Sequence, residues 1–190
     1  MRRKTKRNLL IGTYAVLIIA IAYLSWLDVS LRGSLDAYAD GYRDLQWITG
    51  VGDFGSTHEH ADFLVFVNGK QIDFTRPEHQ EVHGLVHLED PEIAPYVIHK
   101  HATGITYGMF FTTLDIDVGD CLTVNSKEFC DSNGRLVKYY LNGKLTPDLA
   151  NAEISDVDKV LVSYGAESVS EVQQQLTSIG DNACKQSKKC

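Results

Sequence analysis

All seven histidines of this 190-residue chain lie between residues 58 and 101. Two pairs have the spacing His-x-His: His58 and His60 in "HEHADFLVFVNG", and His99 and His101 in "VIHKHATG". In an extended strand, residues i and i+2 point to the same side. Each pair therefore presents two imidazoles from one face, with Asp62 on the side of His58 and His60. A transition metal needs several such groups converging within about 2 Å of one point, and two adjacent His-x-His strands supply them. His87, inside the apolar run "GLVHLED", is a further candidate ligand. Glu89 shares its face, either as an oxygen ligand or as an acceptor that orients an imidazole. His83 precedes His87 by four positions and reads as a peripheral ligand or as nothing. His79 follows Pro77 in a polar loop and reads as solvent-exposed. One His-x-His pair alone is more often plain strand surface; the coincidence of two pairs with His87 favours a metal site.

The elements that must position these residues follow from period and turn signals. "HADFLVFV" reads as a strand that is apolar on both parities, hence buried on both faces. "NG" at 68–69 is a hairpin signal, and "KQIDF" returns. "GLVHLED" and "PYVIHKH" read as two more strands. "TYGMFFTTL" reads as a short helix with Thr106 at its N-cap. "RLVKYYLNGK" and "DKVLVSYG" are strands, the first with an Asn-Gly turn at 142–143. "SVSEVQQQLTSI" reads as a helix with a Ser168/Glu171 capping box and Val172, Leu176 and Ile179 on one face. "FVNGK" and "YLNGK" make a weak internal repeat. The fold class expected is α+β: an N-terminal transmembrane helix, then a mostly antiparallel or mixed sheet with two or more helices, β-grasp-like by analogy.

The N-terminus is of another kind. "MRRKTKR" holds five basic residues and no acid, and Leu9 to Leu27 then runs 19 residues without a charge. As a helix that run is roughly 28 Å long, close to the bilayer's hydrocarbon thickness. The basic flank should remain cytoplasmic and the rest should face outward. A cleaved signal peptide is the competing reading, with Ala37 and Ala39 in "AYAD" as its cleavage pattern. The uncleaved anchor is preferred, because the apolar run is long and the pattern lies well beyond it. This divides the chain into a cytoplasmic basic tail (1–8), an anchor (9–27), a juxtamembrane linker (28–57), an extracytoplasmic metal-binding domain (58–180) and a disulfide-bridged tail (181–190). Leu35, Tyr38, Tyr42 and Leu45 have helical spacing within the linker, and Gly50, Gly52 and Gly55 should end that helix.

Residues 8–190 hold 13 basic and 25 acidic residues, a net charge of −12. That argues against nucleic acid as a partner; the membrane is the partner expected, and a protein partner is unspecified. Four cysteines suit an oxidising exterior. In "CLTVNSKEFC" a two-residue loop at Asn125 and Ser126 places Cys121 opposite Cys130, at a non-hydrogen-bonded position where strands come closest. Such a bridge stabilises by roughly 2–3 kcal/mol in the chain-entropy account. Cys184 and Cys190 should pair with each other. Neither pair is Cys-x-x-Cys, so thiol–disulfide exchange is poorly supported.

Over most of residues 58–190 the chain resembles an uncharacterised family of membrane-anchored, His-rich extracytoplasmic proteins, mainly archaeal. The segments that carry the resemblance are "HEHADFLVFVNGKQIDF", "VHLED", "VIHKHATGITYGMFF", "YYLNGK", "DVDKVLVSYG" and "ACKQSKKC". Automated labels sometimes call such proteins protein-disulfide isomerases, a reading these cysteines do not help. The family pattern has His where this chain has Glu89, which makes Glu89 a candidate replacement ligand.

Three functions remain open: an anchored metal-binding module, a metal-dependent enzyme with an activated water, and a thiol–disulfide exchange protein. In the enzyme reading Glu59, Glu89 or Asp90 is the candidate base. Imidazole with carboxylate suits Zn²⁺ first and Cu²⁺ second.

Overall fold

A computed structural model of the chain describes residues 2–89 and 91–190; for residues 2–6, 9 and 10 the backbone alone is described. The chain forms two units, residues 1–49 and 50–190. The first is one helix, α1 (Arg2–Thr49). Its stretch Ile11–Thr49 contains a window long and apolar enough to cross a membrane, none of it buried by protein. The helix runs on through most of the expected linker. Nothing between Asp28 and Thr49 stops it: Gly33 and Gly41 each cost about 1 kcal/mol in a helix but do not terminate one. Termination comes at Gly50, where φ is +72°.

The second unit is α+β. Its strands are β1 (Glu59–Val67), β2 (Lys70–Gln71), β3 (Val86–Leu88), β4 (Val97–Lys100), β5 (Ile116–Val118), β6 (Leu122–Val124), β7 (Lys127–Phe129), β8 (Leu136–Leu141), β9 (Lys144–Leu145) and β10 (Asp158–Gly165). Its helices are α2 (Tyr107–Thr113), α3 (Val169–Ser178) and α4 (Asn182–Gln186). Seven strands form a mixed sheet in the order β3-β4-β1-β10-β8-β9, with β2 also on β1. β1 and β10 run parallel at its centre, from Ala61↔Asp158 to Val67↔Tyr164. The other pairings are antiparallel. β1 and β2 form one hairpin and β8 and β9 another. The two Asn-Gly turns share one geometry: φ is 50° and 74° at Asn68 and Gly69, and 51° and 76° at Asn142 and Gly143. Both central residues are left-handed, as a type I′ hairpin requires.

β1 explains where the core lies. Ala61, Phe63 and Val65 point into the main core, with Val160 and Val162 of β10, Phe110 and Phe111 of α2, and the three-stranded sheet β5-β6-β7 beneath. Leu64 points the other way, with Leu161, onto Val172 of α3 and Ile179 just past its end. The capping box at Ser168 and Glu171 starts that helix, and Thr106 caps α2 through Met109 N–H. β6 and β7 pair Leu122↔Phe129 and Val124↔Lys127, and Cys121 and Cys130 are bridged with Cα atoms 4.4 Å apart. β5 was not expected from the sequence.

Candidate metal centre

The face of the main sheet that carries Leu64 also carries His60. On β1, His60 and Asp62 share it by period two, while Glu59 and Ala61 take the opposite side. Strand register then lines up three imidazoles, because His60 pairs with His99 and His99 with His87. His99 therefore sits between two rings, with centroids 4.7 Å from His60 and 6.0 Å from His87. His58, just before β1, and His101, just after β4, close the cluster. Their centroids are 4.8 Å apart, and His101 lies 5.0 Å from His87.

Among the described residues, two groups of ligating atoms result here. His58, His60 and His99 form one, and His87, Glu89 and His101 the other; within each the atoms lie within 4.8 Å of one another. The Nε2 atoms of His58 and His60 are 3.1 Å apart. Two nitrogens of a tetrahedral zinc ion are separated by roughly 3.3 Å when each bond is about 2.0–2.1 Å, so this pair fits one ion. A third group, Cys121, Glu128 and Cys130, has its sulfurs bonded to each other.

Hydrogen bonds aim the rings. Ser187 donates to Asp156, and a carboxylate only accepts; the Ser187 oxygen, 2.7 Å from His60 Nδ1, therefore accepts from that nitrogen. His60 is thus protonated at Nδ1 and keeps its Nε2 lone pair toward the cluster. His87 behaves alike: its Nδ1 donates to the His83 carbonyl over 2.8 Å, which frees Nε2. Orienting partners of this kind are what metal-ligating histidines use. His99 differs. It is 5% exposed, yet neither ring nitrogen has a hydrogen-bond partner among the described residues. Glu89 Oε1 lies 2.6 Å from its Nδ1 but outside hydrogen-bonding geometry. The close approach brings a negative charge to the ring without satisfying it directionally.

Burial sets the protonation. It holds His99 far below the ordinary imidazole value, at about 3, and the rings of His60, His87, His58 and His101 push the same way. His60 and His101 are also lowered, first by burial and next by neighbouring rings, with Glu89 opposing in both. These three imidazoles are neutral at pH 7, the state that binds a metal without first releasing a proton.

Several expected residues are placed elsewhere. Asp62 shares the face but faces the tail: it accepts the Ala183 N–H over 3.0 Å. Burial raises its carboxyl, and the backbone N–H groups of Ala183 and Asn182 oppose that. Glu59 is on the far face, 2.7 Å from Nζ of the buried Lys100, and so is not positioned as a base. Lys100 also reaches Glu153 and the Ile154 carbonyl. The His83 ring is exposed and its Nδ1 accepts the Leu85 N–H, so its contribution is a carbonyl and not a ligand. His79 is half-buried against Phe74, with ring centroids 5.4 Å apart, instead of solvent-exposed. Asp90 lies outside the described residues.

The residues missed by sequence reasoning are Ser187, Asp156 and Lys189. Asp156 accepts the backbone N–H of His60 over 2.9 Å, and Lys189 Nζ approaches it to 2.6 Å. Burial pushes the Asp156 carboxyl up, but the bonds from Lys189, Ser187 and His60 outweigh it and hold it low. Ser187 is 127 positions from His60, with no local pattern to connect them.

No protein-family model, curated protein or solved structure matches this chain.

Proposed function

We propose that this chain is a membrane-anchored, extracytoplasmic metal-binding protein whose centre is built from His58, His60, His87, His99 and His101, with Glu89 beside them. One observation carries the reading: His99 is a buried imidazole whose two nitrogens have no hydrogen-bond partner among the described residues, with the rings of His58, His60 and His87 around it and the Glu89 carboxylate beside Nδ1. A buried polar group without a partner costs about 1–3 kcal/mol. A metal ion removes that cost, and the protein's outer hydrogen bonds already point Nε2 of His60 and His87 inward. Imidazole-rich ligation with one carboxylate suits Zn²⁺ first and Cu²⁺ second. The anchor is α1, held with its basic end in the cytoplasm. The resemblance to membrane-anchored, His-rich proteins supports the same reading.

Glu89 supports a metal-dependent hydrolase as the second reading. Its half-exposed carboxylate adjoins His99 and could take a proton from a metal-bound water. Thiol–disulfide exchange has less support, since all four cysteines are bridged.

The test is to purify the full chain in detergent micelles and measure bound metals by elemental analysis. One or two equivalents of zinc or copper are expected, lost in His60→Ala and His99→Ala and kept in His79→Ala. Full metal in both of the first two variants overturns the site.

A further inference from the structure

The bridged segment Cys184–Cys190 lies against the proposed centre. Four contacts dock this tail. Ser187 touches His60 Nδ1 and Asp156. Lys189 pairs with Asp156. Ala183, one residue before the ring, donates to Asp62 of the same strand. The helix inside the tail, α4, has five residues. A helix that short has no stability of its own, so ring closure and docking together hold Ser187 in place. Cys190 is exposed and Cys184 half-buried, so a reductant in solution reaches the bond.

We propose that the Cys184–Cys190 ring is a redox-opened clamp: closed, it holds Ser187 as a positioning residue on His60, and opening it lowers the metal affinity of the centre. The proposal rests on the metal-binding reading. The opening reagent is a dithiol. One of its thiolates attacks Cys190 Sγ and expels Cys184 as a thiolate. Its second thiol then resolves the mixed disulfide, and the reductant leaves oxidised. Two electrons and two protons end on the Cys184 and Cys190 thiols. With the ring open, Ser187 no longer accepts the Nδ1 proton of His60. The imidazole is then free to take the tautomer protonated at Nε2, which closes its ligating nitrogen. Loss of an orienting partner typically weakens a metal site 10–100-fold.

The experiment uses the full chain in detergent micelles, carrying Cys121→Ala and Cys130→Ala so that a single cystine remains. Zinc affinity is measured by competition with a chromophoric chelator, before reduction and after reduction with the dithiol removed anaerobically. The His60 tautomer is read separately from side-chain ¹⁵N shifts in metal-free protein. The expected result is a 10–100-fold loss of zinc affinity on reduction and a shift of His60 away from the Nδ1–H form. Ser187→Ala should show both effects while its ring is closed, with no further loss on reduction, and Ser187→Thr should behave as the parent. Zinc binding whose strength and tautomer both ignore reduction overturns the clamp. Weakened zinc with an unchanged tautomer overturns the role of Ser187. Absence of zinc binding beside a tautomer that responds to reduction overturns the metal reading and the affinity switch, and leaves only the contact on His60.

Discussion

His60 and His99 are register partners across β1 and β4, yet their ring nitrogens fare differently. His60 has Ser187 on Nδ1, and His99 has no hydrogen-bond partner for either nitrogen among the described residues. Their centroids are 4.7 Å apart, so one ring is aimed and the other is left for something else to satisfy.

That asymmetry predicts an unusual mutant. His99→Leu removes two buried nitrogens that have no hydrogen-bond partner among the described residues, fills similar space with apolar atoms, and leaves the half-exposed Glu89 carboxylate to solvent. In metal-free protein it should cost less than about 1 kcal/mol, or stabilise, because a lost unsatisfied group is worth about 1–3 kcal/mol. In metal-loaded protein the same change should abolish the stabilisation that a chelator removes. Thermal unfolding with and without chelator measures both; a metal-free His99→Leu that loses several kcal/mol would contradict the account.

The depressed imidazoles give a pH dependence with a definite sign. His60, His99 and His101 bind protons less readily in the folded chain than in the unfolded one. Below an unfolded value of 6.5, the unfolded state therefore holds more protons, and folding stability falls as pH drops; for His99 this continues toward about 3. Metal-free protein should be indifferent between pH 8 and 7 and lose stability from about pH 6.5 downward. Urea unfolding between pH 7.5 and 5 keeps most carboxylates ionised and isolates the histidines. His99→Leu should flatten the slope.

How much of this was legible in the sequence depends on the range of the contact. The convergence of His58, His60, His99 and His101 follows from period two and from pairing of neighbouring strands. The same parity puts Glu59 on the opposite face, so its place beside Lys100 was readable from its position between two candidate ligands. The hairpin turns and both helix caps were local signals. By contrast, the parallel β1–β10 pairing joins residues about a hundred positions apart, and hydrophobic pattern alone does not choose it. Ser187 reaches His60 from the tail and Asp156 from the turn just before β10, and no spacing rule points back from either. The continuous α1 was obscured because its polar half contains two glycines and reads as a linker.

Lys100 should separate stability from metal binding. It is 1% exposed and sits on the main-core side, paired with Glu59 and Glu153. Removing one partner of a buried pair costs about 3–5 kcal/mol. Lys100→Ala should fall near the low end, since Glu153 keeps solvent contact. Glu59→Gln should be milder. Protein that remains folded should hold its full complement of metal in both cases, by elemental analysis. Metal lost from folded Glu59→Gln would mean that this carboxylate does reach the centre.

The hairpin cystine should be structural only. Cys121 and Cys130 bridge the ends of β6 and β7 in the smaller sheet. Replacing both with Ala should lower stability by roughly 2–3 kcal/mol through the freed loop entropy of the unfolded chain. Metal content and affinity should stay unchanged, by the same chelator competition. A metal defect in this variant would couple the two sheets in a way their separate hydrogen-bonding does not suggest.

Glu89 decides how the second group of ligands works. It lies 2.6 Å from His99 Nδ1 and 4.0 Å from His87 Nε2, so its carboxylate spans the two histidines of the β3–β4 pair. As a ligand it supplies a bond that an imidazole can replace; as a base it supplies proton acceptance that an amide cannot. Glu89→His should therefore retain metal at parent affinity, whereas Glu89→Ala should weaken binding about tenfold, some 1.4 kcal/mol. Glu89→Gln keeps one coordinating oxygen and loses the charge, and should fall between them. Metal competition ranks the three. If Glu89→Ala binds metal as tightly as the parent, Glu89 is not a ligand, and its place beside His99 is better explained by the enzyme reading. In that case Glu89→Gln should bind metal fully while losing any metal-dependent hydrolysis that the parent shows.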